Sequence, residues 1–127
     1  MNDFNNDAIR DFGFRELRIP TNFPLQLRTD EAEPRLIEGQ CLDISADGMA
    51  VRSAASFPLG TRLLILVAFP GASNAIQLPA TVVRAQAGQY GLTFTFSSSR
   101  EREAVRAVVD SLAAKMVRIH RTMGSVG

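Results

Sequence analysis

The 127-residue sequence has one cysteine, one histidine, one tyrosine and no tryptophan. Cys41 alone cannot close an internal disulfide, and with His120 far from it in sequence no Cys/His metal-ligand spacing exists, so neither a metal nor a cofactor is expected. Charge of one sign is lacking too. Fourteen Lys+Arg against thirteen Asp+Glu leave a net charge of +1, which removes bulk electrostatics as a reason to expect DNA or another polyanion; any anion site must be local. No run approaches the roughly eighteen apolar residues of a membrane-spanning helix, and the start, Met1-Asn2-Asp3-Phe4-Asn5-Asn6-Asp7, lacks a basic-then-apolar signal pattern. The expected location is the cytoplasm, without membrane insertion.

Catalytic chemistry is also poorly provided for. His120 falls in the last turn of a predicted helix, where capping or exposure explains it, and no serine or cysteine has the sequence context of an activated nucleophile. Asp30, Glu31 and Glu33 crowd one turn and read as a solvated acidic loop rather than an acid/base pair. Phosphate-loop and dinucleotide glycine motifs are absent.

What is present is a hydrophobic share of 46%, enough for the core of a single domain. Residues 1–13 are rich in Asn and Asp and read as a flexible lead-in; the domain is expected over 14–121, with a tail at 122–127. Leu25 and Leu27 alternate with polar neighbours as in a half-buried strand, with Pro20 and Pro24 placing its start at an edge. Arg35–Ile44 reads as a longer strand with Gly39 as a candidate bulge, and Asp47-Gly48 as a hairpin turn into Met49–Arg52. Leu63–Phe69 is apolar throughout and suits a buried strand. Ala75–Arg84 follows, its pairing expected to be limited by Pro79, and Gln89–Phe96 alternates with Tyr90, Leu92, Phe94 and Phe96 on one face.

The period then changes. Val105, Val108, Val109, Leu112, Met116 and Ile119 fall at helical spacing, Ser98 and Glu101 can form a reciprocal capping box, and Gly124 is expected to end the regular run. The stripe reads as core, with a homo-oligomer seam as the alternative, for which Val117 off the main stripe is slight support. The fold class is an all-β core, a small six-stranded antiparallel β-barrel over about 20–96, with a C-terminal α-helix over about 98–121.

Thirteen of the fourteen basic residues are Arg, a bias that genomic base composition can explain. Arg15 and Arg18 precede the first strand, and Asp43-Ile44-Ser45-Ala46-Asp47-Gly48 spans the first tight turn. Alone, Asp-x-Ser-x-x-Gly is turn chemistry: Asp43 and Ser45 bond nearby amides and Gly48 supplies a positive φ. Together with the arginines it resembles the PilZ domain, the bacterial receptor module for cyclic di-GMP. Pro58-Leu59-Gly60-Thr61 before an apolar strand and Gly88-Gln89-Tyr90-Gly91-Leu92-Thr93-Phe94 before the helix are similar to that family as well.

The resemblance implies a ligand, cyclic di-GMP, held between the N-terminal arginine segment and the hairpin. Arg18 occupies the second position of the family's Arg-x-x-x-Arg. The first position is Phe14 here, and Arg15 gives Arg-x-x-Arg, one residue short; Arg10 is another substitute. A guanidinium donates in parallel to phosphate oxygens or guanine O6 and N7, Asp43 accepts from a guanine edge, Ser45 bonds a base edge or phosphate, and Gly48 permits close approach. The expected function is a receptor and adaptor whose arginine segment folds over the ligand and alters docking to an effector protein. A protein-interaction module that has lost the nucleotide is the second reading, and an enzyme the third.

Overall fold

The structure is a computed structural model that describes residues 17–126, with side chains described through residue 116. The lead-in, Phe14, Arg10 and Arg15 lie outside the described residues, as do the side chains of Val117, Ile119 and His120. Among the described residues six strands, β1 (Ile19–Thr29), β2 (Leu36–Ile44), β3 (Gly48–Arg52), β4 (Arg62–Val67), β5 (Ile76–Gln86) and β6 (Gln89–Phe94), precede one helix, α1 (Ser99–Val126). All pairings are antiparallel, and the order β1-β2-β3-β6-β5-β4 closes on itself as a barrel.

The period-2 pattern is what drives closure. Phe23, Leu25 and Leu27 of β1, Leu63, Ile65 and Val67 of β4, and Tyr90, Leu92 and Phe94 of β6 all turn inward and are buried. A barrel buries these faces and leaves no long free edge. β4 is half-buried on its outer face rather than enclosed on both, since Leu64 and Leu66 are partly accessible while Leu63 and Ile65 are not.

Several details depart from the sequence reading. Gly39 is not a bulge: it pairs in register with Leu25, and a Cβ there would lie 3.0 Å from Leu25 Cδ1, so the missing side chain clears room for a core leucine. The register shifts fall elsewhere, between Pro20 and Phe23, Cys41 and Asp43, and Val82 and Arg84. Pro79 does not interrupt its pairing with Leu64, because the β4–β5 register runs unbroken from Arg62↔Thr81 to Val67↔Ile76. Its carbonyl also accepts from the Thr95 amide at 2.8 Å. Pro20 and Pro24 do stand at a local edge: β1 pairs with β4 only over Gln26–Thr29, so among the described residues the first half of β1 has β2 as its sole strand partner.

The helix starts as its capping residues require. Ser98 Oγ accepts from the Glu101 amide at 3.3 Å, while the Glu101 carboxylate reaches one residue further back than expected and accepts from the Ser97 amide at 2.6 Å. Val105 and Val109 are buried against the barrel, Val108 and Leu112 are partly buried, and Met116 is 44% exposed, so the stripe runs off the barrel along its length. The helix continues through Gly124 to Val126. A glycine there costs about 1 kcal/mol of helix propensity but keeps its N–H donor, so it weakens the run without stopping it.

Candidate functional site

The antiparallel β1–β2 register sets Ile19 opposite Ile44 and Pro20 opposite Asp43, which brings the chain just before β1 alongside the β2–β3 turn. Arg18 therefore meets Asp43 across 25 positions of sequence: its Nη1 donates to Asp43 Oδ1 at 2.7 Å. The side chains are 37% and 29% exposed, so solvent screens the pair and its stabilising contribution is below about 1 kcal/mol. Its consequence is positional. One of the guanidinium's five N–H donors is engaged by Asp43, the plane is oriented, and the remaining donors have no partner among the described residues.

The turn itself is built from the inside. Ser45 is 2% exposed; its amide donates to the Gly48 carbonyl at 2.8 Å, and its hydroxyl accepts from the amides of Asp47 at 3.3 Å and Gly48 at 3.2 Å. The expected ligand contact from Ser45 thus competes with a role inside the turn. Asp43 does not bond a nearby amide with its carboxylate, which is turned to Arg18 instead. Gly48 is not in the positive-φ region, unlike Gly60, Gly71 and Gly88. A Cβ at Gly48 would fall 2.1 Å from the Leu92 carbonyl oxygen, so the absent side chain serves close strand approach.

Arg18, Ser45, Asp47 and Gly48 line a recess of about 210 Å³ whose other wall is Val83, Arg84, Gly91, Leu92 and Thr93. Arg84 is a second guanidinium that the sequence reading missed. The β5–β6 register pairs it with Gly91, and its Nη2 lies 3.3 Å from where a Gly91 Cβ would be, so the side chain lies folded across the glycine. The signal was faint in sequence: only the strand register, displaced between Val82 and Arg84, turns this arginine toward the recess. Asp47, exposed at the corner, was read only as a turn residue; its carbonyl accepts from the Phe94 amide at 2.8 Å, which fastens the turn to the end of β6.

Cys41 is fully buried beneath this region, and desolvation pushes its thiol up to about 11 despite a hydrogen bond from Thr21. It is a neutral, unreactive core residue at ordinary pH. Among the described residues no cluster of three or more His, Cys, Asp or Glu could hold a metal ion, and no helix is long and apolar enough to cross a membrane. The arrangement has planar cationic donors, a carboxylate acceptor and a shallow concave floor, and can bind an anionic ligand with hydrogen-bonding edges.

Comparison with known proteins bears on the fold and the family. No curated protein matches the chain. Among solved structures, the PilZ domain of CeSA from a cellulose-synthesizing bacterium superposes with a TM-score of 0.63 at 24% identity, covering 76% of this chain and 97% of that one. The PilZ domain of Escherichia coli YcgR, solved with c-di-GMP, gives 0.62 at 17% identity over 83% and 95%. The Bacillus subtilis inhibitor of motility MotI/DgrA gives 0.61 at 19% over 80% and 50%. A family model for the PilZ domain matches residues 14–111, most of the chain, and with the barrel, the terminal helix and the arginine-flanked turn all present, this protein belongs to the PilZ domain family.

Proposed function

We propose that the chain is a cytosolic receptor and adaptor for cyclic di-GMP, which it holds between its N-terminal arginine segment and the β2–β3 turn. The observation that carries this reading is the meeting of Arg18 and Asp43 at 2.7 Å beside a recess lined by Arg18 and Arg84. The ligand has two phosphates and two guanines, all acceptor-rich or flat. Guanidinium groups match both, donating to phosphate oxygens or to O6 and N7 and stacking on the base. Asp43 holds Arg18 in place and offers a second carboxylate oxygen to a guanine N–H edge. Ser45 and Gly48 act by shaping the turn. Arg15 and Arg10 approach from the N-terminal side and cover the ligand. That contact changes the surface offered to an effector protein. The solved c-di-GMP complex of a PilZ domain with the same barrel supports the choice of ligand.

Isothermal titration of the purified protein with cyclic di-GMP, cyclic di-AMP and GTP tests the reading. Heat is expected with the first and not with the others; no heat at high micromolar concentration sinks the receptor and leaves a protein-interaction module. Arg18→Ala is expected to weaken binding by about fivefold to a hundredfold, since a bidentate contact is worth about 1–3 kcal/mol and a decade requires roughly 1.4 kcal/mol.

A further inference from the structure

The recess beside Arg18 is too small to be the whole site. At about 210 Å³ it falls under the roughly 300–1,000 Å³ of ordinary small-molecule pockets. A larger hollow of about 450 Å³ adjoins it, lined by Ala46, Asp47, Thr93, Phe94, Phe96, Arg102 and Arg106. Asp47 and Thr93 line both hollows, so the two are halves of one surface depression with Asp47 on the shared rim.

The second hollow has its own recognition chemistry. Arg102 and Arg106 are four apart on α1 and project from the same helix face. Both are exposed, and among the described residues neither has a carboxylate within ion-pair distance. The Arg102 guanidinium carbon stands 5.3 Å from the centroid of the Phe96 ring, which is itself packed on Phe94 with centroids 5.2 Å apart. This cation–π contact restrains the guanidinium before any ligand arrives, which lowers the ordering cost of a further contact. The exposed Asp47 carboxylate disfavours a bare anion at the rim and suits a ligand with N–H donors there and acceptors to either side.

We infer that Arg102 and Arg106 of the helix form a second half-site, so that one cyclic dinucleotide spans both hollows. Its near phosphate or base lies on Arg18 and Arg84, and its far one on Arg102, Arg106 and the edge of Phe96. This inference rests on the receptor reading above and adds the helix to the binding surface. The helix thereby becomes a part of the protein whose surroundings change when ligand arrives.

The test is titration of the full chain with cyclic di-GMP across four helix variants, with Arg18→Ala as the reference for the first hollow. Arg102→Ala and Arg106→Ala are each expected to lower affinity about tenfold. Arg102→Lys keeps the charge but loses the planar fork, and is expected to lose affinity nearly as far. Arg100→Ala removes the same charge from the same helical turn at a residue that does not line the hollow, and is expected to bind as the unsubstituted protein does. Amide and arginine Nε–H resonances of Arg102 and Arg106 are expected to shift on ligand addition. Equal loss in Arg100→Ala and Arg102→Ala reduces the effect to net charge and overturns the inference. So does unchanged affinity in Arg102→Ala and Arg106→Ala while Arg18→Ala binds weakly, and that result leaves the receptor reading standing. Absence of heat with the unsubstituted protein overturns both.

Discussion

The two ends of β2 carry turns of six and three residues, and an arginine is held by a carboxylate at each end, yet the two ends differ in what supports that pair. At the β1–β2 end, Arg35 Nε donates to Glu31 Oε2 at 3.2 Å within one short loop, and both side chains are about half exposed or more, at 61% and 49%. At the β2–β3 end, nine residues or roughly 30 Å along the strand, Arg18 and Asp43 come from distant segments and sit over a buried serine and a sterically locked glycine. An arginine–carboxylate pair by itself says little about function. What separates the second turn is a rigid support that fixes where the guanidinium stands, and a recess beside it.

The strongest way to break the second turn is at Gly48. With the Leu92 carbonyl oxygen 2.1 Å from the new Cβ, Gly48→Ala must part β3 from β6, and a melting temperature lower by more than about 10 °C is expected, equivalent to ~3 kcal/mol or more. Gly60→Ala is the control. Its site is open to 4 Å and only its φ of 85° resists a side chain, for a loss of about 1 kcal/mol. Equal melting points for the two variants contradict the close-approach account.

Next in size is the alkaline limit set by Cys41 beneath the turn. Burial raises its thiol from 9.0 to about 11, so the folded chain holds this proton more tightly than the unfolded chain. The corresponding stability is intact below the unfolded thiol's value and is lost as pH rises through the folded one. At about 1.4 kcal/mol per unit, the loss is on the order of 2–3 kcal/mol. Urea midpoints measured below about pH 9 and near pH 11 are expected to fall further in the unsubstituted protein than in Cys41→Ala; parallel falls refute the assignment.

Ser45→Ala removes the acceptor shared by the Asp47 and Gly48 amides and is expected to cost about 1–2 kcal/mol in a denaturant titration. Against it, Glu31→Gln at the other end of β2 is expected to leave the midpoint where it was. The Arg35 and Thr29 hydrogen bonds lower the Glu31 carboxyl below its usual value, but the side chain is half exposed, so solvent screens contacts that are local in any case. A large effect there equalises the two turns and defeats the comparison.

Strands and helix were legible because hydrophobic periodicity carries them. Leu25 and Leu27, the alternating Tyr90 to Phe94 and the helical Val105–Val109 spacing each announced a buried face that the barrel then used. Glycine and proline were read less well, since their effects depend on what lies across the sheet. Gly39 makes room for Leu25, Gly48 for the Leu92 backbone, and Pro79 stays in register, none of which local sequence states. The β5–β6 connection was equally opaque, because Ala87 adopts a φ of 52° ahead of Gly88 at 80° where Asn or Gly is the usual sign of such a turn. At the site, Arg18 and Asp43 were found through the resemblance of their motifs. Arg84, Arg102 and Arg106 were not, because strand register and helix placement decide which of many exposed arginines share a hollow.

The uneven zippering of β1 has a last consequence. Its second half joins both neighbours and closes the barrel, while Ile19 to Leu25, though its inward side chains are buried, pairs among the described residues with β2 alone. Amides bonded on one side exchange with solvent through small local openings rather than through global unfolding. Arg18 stands at the tip of that half-strand, so a ligand held by its guanidinium is expected to slow amide exchange along the barrel's own seam.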